Sequence, residues 1–219
     1  MQYMVISDPR VTSIETVECG EAMVEIQGAD PRLLVDNSTA NISGLGYVPQ
    51  FSVRKSVADK LIAAARALPD NLHLLVKESL RPTSFQEFIF NRRRSQLATE
   101  HPELQEGDLV GLTSRFVAPP WVAGHPTGGA IDVTICSSNG QEADLGCLYD
   151  EDEKASQGRC FSFADNLTEP AKRNRKALFA CLNAQGFVNY PFEWWHWSYG
   201  DKYWAAVTQS PAAVYGAVG

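Results

Sequence analysis

A chain of 219 residues, 44% hydrophobic and 21% charged, is long enough to bury a sizeable core and too apolar to be disordered. Its net charge of −7, with no basic run longer than Arg92, Arg93 and Arg94, argues against a partner bound by neutralising phosphates, so nucleic acid is not expected. No apolar stretch approaches the roughly 18 to 20 residues that cross a bilayer, so no membrane partner is expected.

The N-terminal MQYMVISDPR lacks the basic, apolar and small-residue regions of a signal peptide. The expected location is therefore the cytoplasm, or the periplasm if a leader has been removed. One domain spanning 1–219 is the starting expectation. In chain order, Val53, Val57, Leu61, Ala65 and Leu68 form one stripe at helical spacing, closed by Pro69 and Asp70. Residues 72–76 are a short apolar run of strand length leading into KESLRP. Ser84 with Glu87 three residues on is a capping-box pattern, which opens a second helix running through Phe88, Ile89 and the arginines. Residues 98–122, with His101, Pro102, Pro119 and Pro120, read as loop, and 130–136 alternates as a strand. The polar stretch 137–169 is too long for a plain connection, which suggests a functional loop or lid. A third helix is expected from about Pro170 to Gln185 with Gly186 as its cap, and the aromatic block after Gly186 reads as strand. Separated helices and antiparallel-looking strands make the expected fold class α+β, a single domain with a small antiparallel sheet carrying the site.

Five cysteines, an odd count with no C-x-x-C spacing, favour free thiols; Cys147 and Cys160, which bracket a polar loop, are the first pair to test for a disulfide.

The stretch GHPTGGAIDV, residues 124–133, places His125 and Asp132 around a double glycine. If Gly128 and Gly129 form a two-residue hairpin turn, His125 and Asp132 stand opposite one another with Cβ atoms about 4.5–5.5 Å apart, able to share one ion. A broader loop ending in the strand at Ala130 would also bring them together. A catalytic zinc site needs a third protein ligand and an open position for water. Candidates are His73, His101, His196, carboxylates and cysteines. His196 is preferred because Glu193 precedes it in FEWWHW, where the glutamate can take a proton from water if the segment turns there. The helical H-E-x-x-H signature is absent.

HPTGGAID at 125–132 resembles the core of the S-x-H-x-x-G-x-A-x-D motif, and EWWH at 193–196 the E-x-W-H motif, of the zinc D-alanyl-D-alanine peptidases. RPTSFQ at 81–86, NISGLGY at 41–47 and LGCLYDE at 145–151 are similar to segments of the dipeptidase branch. The resemblance implies that His125, Asp132 and His196 bind one zinc ion and that Glu193 is the general base. It further implies that Arg81 stabilises the oxyanion and that Asp150 holds the free amino group of a small D-amino-acid dipeptide such as D-Ala-D-Ala. Ala123 stands where the family's first motif has a serine associated with recognition of the amino end. Trp194, Trp195 and Trp197 are expected to pack the site from both faces. Alternatives are a carboxypeptidase trimming terminal D-Ala from longer cell-wall peptides, and a zinc-binding module without catalysis. No feature of the chain specifies an oligomeric state.

Overall fold

A computed structural model of the protein describes residues 3–218. The short helix α1 (Pro9–Thr12) starts at Asp8, whose side chain accepts from the Arg10 amide, with proline at its first position. Then follow β1 (Met23–Glu25), β2 (Leu33–Val35), helix α2 (Thr39–Leu45), capped by the Ser38 hydroxyl, and β3 (Ser52–Arg54). The predicted amphipathic helix is α3 (Lys55–Ala67), burying Val57, Leu61 and Ala65, but Val53 belongs to β3. The apolar run is β4 (His73–Glu78), longer by two residues than its apolar core, because Lys77 and Glu78 are buried as partners of other charges.

Helix α4 (Thr83–Glu100) does not use the capping box at Ser84: its N-cap is Pro82, in an extended conformation, with no side-chain cap. The fixed φ of Pro82 turns the chain straight out of the strand and starts the helix before Ser84. Residues 98–122 also hold a helix that the sequence reading missed, α5 (Glu106–Thr113). Its two glycines weaken the signal, although Glu106 and Asp108 in the first turn favour an N-terminus there. After β5 (Ala130–Cys136), residues 137–168 carry no named helix or strand among the described residues, as expected. Helix α6 (Glu169–Ala184) is capped by Thr168, with Gly186 at φ 80° beyond its end. The aromatic block is strand only in β6 (Val188–Asn189) and β7 (His196–Ser198). It ends in helix α7 (Lys202–Thr208), where the Asp201 carboxylate accepts from the Trp204 amide. Its aromatic side chains suit a strand, and the Asp201 cap overrides them.

The main sheet runs β2-β4-β5-β7-β6, parallel between β2 and β4 and antiparallel elsewhere, while β1 and β3 form a separate antiparallel pair. This α+β arrangement buries every residue of β5. Along β5, Ile131, Val133 and Ile135 join Leu61, Leu178 and Leu182 of α3 and α6 in the main core, leaving Asp132 and Thr134 to the opposite face. A second cluster of Ile6, Val11, Val122, Tyr190, Phe192 and Tyr203 lies outside that core. All five cysteines are free, including Cys147 and Cys160. No helix among the described residues is long and apolar enough to cross a membrane.

The irregular stretch is anchored from beneath by Arg175 of α6, 3% exposed, which donates to the carbonyls of Leu145, Arg159, Phe161 and Ser162. Burial pulls this guanidinium down to about 10. Arg175→Ala strips four carbonyls of a charged donor, and should cost about 2–4 kcal/mol and roughly 5–15 °C in Tm, with faster proteolytic cleavage between 145 and 162. Calorimetry with limited proteolysis checks both effects.

Candidate metal centre

Asp132 sits in the middle of the sheet and is flanked on both sides. Across β7 its register partner is His196, and across β4 it is Glu78. The second pairing depends on a bulge. Val76 pairs with Val133, but Glu78, two residues further along β4, pairs with Asp132, only one residue from Val133, which brings an acid of the apolar strand beside the aspartate.

His125 arrives by another route. Residues His125–Thr127 form a single 3₁₀ turn closed by Gly128 at φ 70°, a left-handed conformation that favours glycine. At Gly129 an added Cβ would stand 2.5 Å from the Tyr199 carbonyl, so only glycine lets the chain pass close to the end of β7. The two-residue hairpin is therefore absent, because β5 pairs with β4 and β7 instead of folding back on residues 123–127. The broader loop ending at Ala130 holds, and cross-strand pairing joins Asp132 to His196, not to His125.

The three groups nevertheless converge. His196 Nδ1 lies 2.9 Å from Asp132 Oδ1, His125 Nε2 lies 3.4 Å from the same oxygen, and the two ring nitrogens are 3.2 Å apart. Zinc bound tetrahedrally at about 2.0–2.1 Å separates its ligand atoms by about 3.3 Å, so this triangle has the size of one face of a zinc tetrahedron and leaves the fourth corner to water or substrate. His125 Nδ1 donates to the Ser79 carbonyl at 2.7 Å, which fixes the tautomer and turns the bare Nε2 lone pair inward. Although burial opposes the charged form, His125 and His196 hold the Asp132 carboxyl well below the usual range. All three side chains are buried, and among the described residues they are the one group of acidic, histidine or cysteine side chains close enough to hold an ion. His73 and His101 lie elsewhere: His101 faces Glu103 at the end of α4, and His73 opens β4 opposite Cys136.

Arg81 is fixed by neighbouring side chains. Its Nε and Nη2 each donate to Glu78 at 2.6 Å, and Nη1 donates to Gln86 Oε1 at 2.8 Å, while Gln86 Nε2 donates to the Ala118 carbonyl. Burial pulls against the charge, but Glu78 raises the Arg81 pKa well above its ordinary value. Three of the five guanidinium N–H groups are used in this way, and two remain for the cavity that Arg81 lines. Glu78, 1% exposed, was missed in the sequence; its signal was an acid inside an apolar strand three residues before an arginine. Tyr47 donates to Glu78, and Tyr149 donates to Asp132 Oδ2 at 3.1 Å, so the tyrosine of LGCLYDE supports a cavity-lining carboxylate directly.

Glu193 stands between two turns, its amide bonded to the Tyr190 carbonyl and its own carbonyl accepting from the His196 amide, so residues 193 and 196 reach one side as the sequence required. It is buried, and burial with the charges of Asp132 and Asp150 raises its carboxyl well above the ordinary value. Glu193, Arg81, Asp150 and the three converging groups all line a cavity of about 40 Å³, room for a few waters, with Ile6, Ser114, Phe116 and Ala118 in its wall. Asp150, held at φ 64°, is pushed up to about 7 by enclosure and then by Asp132 and Glu78, although part of its surface stays open to solvent. Ala123 is 5% exposed and does not line this cavity, whose wall from the same segment is Phe116 and Ala118. Trp194, Trp195 and Trp197 are all in the main core, and of the three only Trp195 reaches the cavity.

A family model described as D-ala-D-ala dipeptidase matches residues 34–212. The chain is 25% identical to a D-alanyl-D-alanine dipeptidase of Synechocystis sp., with 88% of this chain and 87% of the relative covered. It is 26% identical to one from Escherichia coli, over 63% of each. Among solved structures it is similar to the vancomycin resistance D,D-pentapeptidase VanY in complex with Zn(II), at 17% identity and a TM-score of 0.40, over 72% of this chain and 77% of that one.

The purified protein is expected to carry one zinc ion per chain, and Asp132→Ala or His196→Ala to carry less than about a tenth of that by elemental analysis. Glu78→Ala leaves Arg81 buried without its counter-charge and should cost about 3–5 kcal/mol in denaturant unfolding.

Proposed function

The chain belongs to the D-ala-D-ala dipeptidase family of zinc metallopeptidases, and on that premise we propose that it hydrolyses D-Ala-D-Ala, or a related D-amino-acid dipeptide, at the His125, Asp132 and His196 centre. The observation that carries this reading is the meeting of a zinc-sized ligand triangle, a buried glutamate and a prepositioned arginine around one small cavity. A volume of about 40 Å³ lies far below the roughly 300–1,000 Å³ of ordinary ligand pockets, and encloses only one end of a dipeptide.

Bound zinc supplies Lewis acidity, polarising the amide carbonyl and making the attacking water more acidic at neutral pH. In this proposal Glu193 accepts the proton of that water and then passes it to the leaving amine, a task that suits a carboxyl raised by burial. Asn189 donates to the Glu193 main-chain carbonyl, and among the described residues no side chain donates to its carboxylate, which leaves that group to the water. Arg81 directs its two spare N–H groups at the oxygen on which negative charge develops, and the Glu78 and Gln86 contacts hold it there without reorganisation. Asp150 receives the substrate's free amino group at the cavity mouth. We take residues 1–219 to act as one domain. We place the reaction in the cytoplasm, where five unpaired thiols persist.

One observation favours a second reading. Asp150 also lines a neighbouring cleft of about 940 Å³, with Tyr149 and Trp194, into which the amino-terminal part of a longer peptide fits. A D,D-carboxypeptidase would use that cleft. Comparing D-Ala release from the free dipeptide and from a pentapeptide ending in D-Ala-D-Ala separates the two readings, and faster release from the pentapeptide sinks the first.

Glu193→Gln should keep its zinc and lose about 10²–10⁴-fold in kcat, and Arg81→Ala about 10²–10³-fold, both read as D-Ala release. Chelation should abolish activity, and one equivalent of zinc should restore it.

A further inference from the structure

The cavity wall includes a residue that lies outside the matched region 34–212. Ile6 is 3% exposed, lines the cavity, and sits on a segment held down at several points. Its amide is 3.4 Å from the Tyr190 hydroxyl, which itself donates to the Ser114 carbonyl, while the Asp8 amide is bonded to the Val5 carbonyl and Asp8 starts α1. Just before it, Tyr3 places its ring 6.0 Å from Phe192 and 6.1 Å from Phe163, so the segment also bridges to the long irregular stretch. Ile6 and Tyr190 belong to the second hydrophobic cluster, whereas Trp195, and Tyr149 beside Asp150, pack on the main core. The cavity lining thus draws on both clusters, with the polar Asp150 beside Tyr149 of the main core and the apolar Ile6 on the second.

We propose that Ile6 is a specificity-determining residue that closes the wall away from Asp150 and limits the size of the side chain at the substrate's C-terminal position. This rests on the dipeptidase reading, in which the amino group lies at Asp150 and the C-terminal residue points to the opposite wall. The Ile6 side chain is part of the wall of a cavity of only about 40 Å³, so its size bears directly on the room left for a substrate side chain. Tyr190, 6.0 Å by ring centroid from His196, backs the same wall, so a substrate side chain that displaced Ile6 would press on the ring beside a metal-binding histidine.

The test measures kcat/KM for D-Ala-D-Ala, D-Ala-D-Leu and D-Leu-D-Ala with zinc-loaded wild type, Ile6→Ala, Ile6→Val and Ile6→Phe. Ile6→Ala should raise the ratio of D-Ala-D-Leu to D-Ala-D-Ala about 10-fold or more and leave that for D-Leu-D-Ala unchanged. Ile6→Val should behave nearly as wild type. Ile6→Phe should lower kcat/KM for D-Ala-D-Ala by about 10-fold at unaltered zinc content, and it carries the test if Ile6→Ala does not fold. A ratio that stays flat in folded, zinc-loaded variants, or that rises equally for D-Leu-D-Ala, overturns the assignment. A wild-type protein that holds zinc but cleaves no D-dipeptide refutes the dipeptidase reading itself, a failure visible before any variant is compared.

Discussion

The structure turns on the burial of one carboxylate. Asp132 lies on a strand buried along its whole length, with Glu78 opposite on one neighbouring strand and His196 opposite on the other. Two acids side by side in a sheet, away from bulk water, repel strongly and lose hydration, so they persist only where positive charge is supplied from fixed positions. Arg81 supplies it at Glu78, and at Asp132 two histidines converge with the spacing of a metal's ligands, where a bound zinc ion would supply it.

This division gives each acid one task. Glu78 is fully engaged by Arg81 and Tyr47, so it does not compete for the ion. Asp132 keeps Oδ1 toward the histidines, and its other oxygen accepts from Tyr149. The same pairing that makes Glu78 tolerable makes Arg81 immobile, which is the condition for a guanidinium to stabilise developing charge without first rearranging. Gln86 extends the arrangement through the Ala118 carbonyl to the apolar wall, and Tyr149 links Glu78 to Asp132, so one connected hydrogen-bond network runs from Asp132 through Arg81 to that wall.

Much of this was legible in the sequence, for physical reasons. The glycine doublet between His125 and Asp132 and an isolated Glu three residues before a His are local signals whose flanking residues fall at the cavity, whereas Arg81 came into view only through the family resemblance of RPTSFQ. α3 was readable from its apolar stripe and stop, and α6 from Pro170 at its start and Gly186 beyond its end, which are local as well. What escaped is register. The bulge that swings Glu78 beside Asp132, and the pairing of Asp132 with His196, 64 residues away, depend on which strands meet, and periodicity along one strand does not encode that. The hairpin at Gly128 and Gly129 failed for the same reason, since β5 found other partners. α5 and α7 were hidden by composition, glycines in the first and aromatics in the second, and in each the helix start carried the better signal. Ile6 could not be singled out, because an apolar residue near one end of the chain looks the same whether it lines a site or a core.

Arg175 holds the stretch between β5 and α6 through main-chain carbonyls alone. A carbonyl is present whatever the side chain, so these four anchor points do not depend on which residues supply them. Other points of the stretch do, since Asp150 sits at φ 64° and Glu151 accepts from the Leu148 amide. Substitution is therefore cheapest at the exposed Leu148, whose side chain the backbone path does not use, and dearest at the arginine underneath.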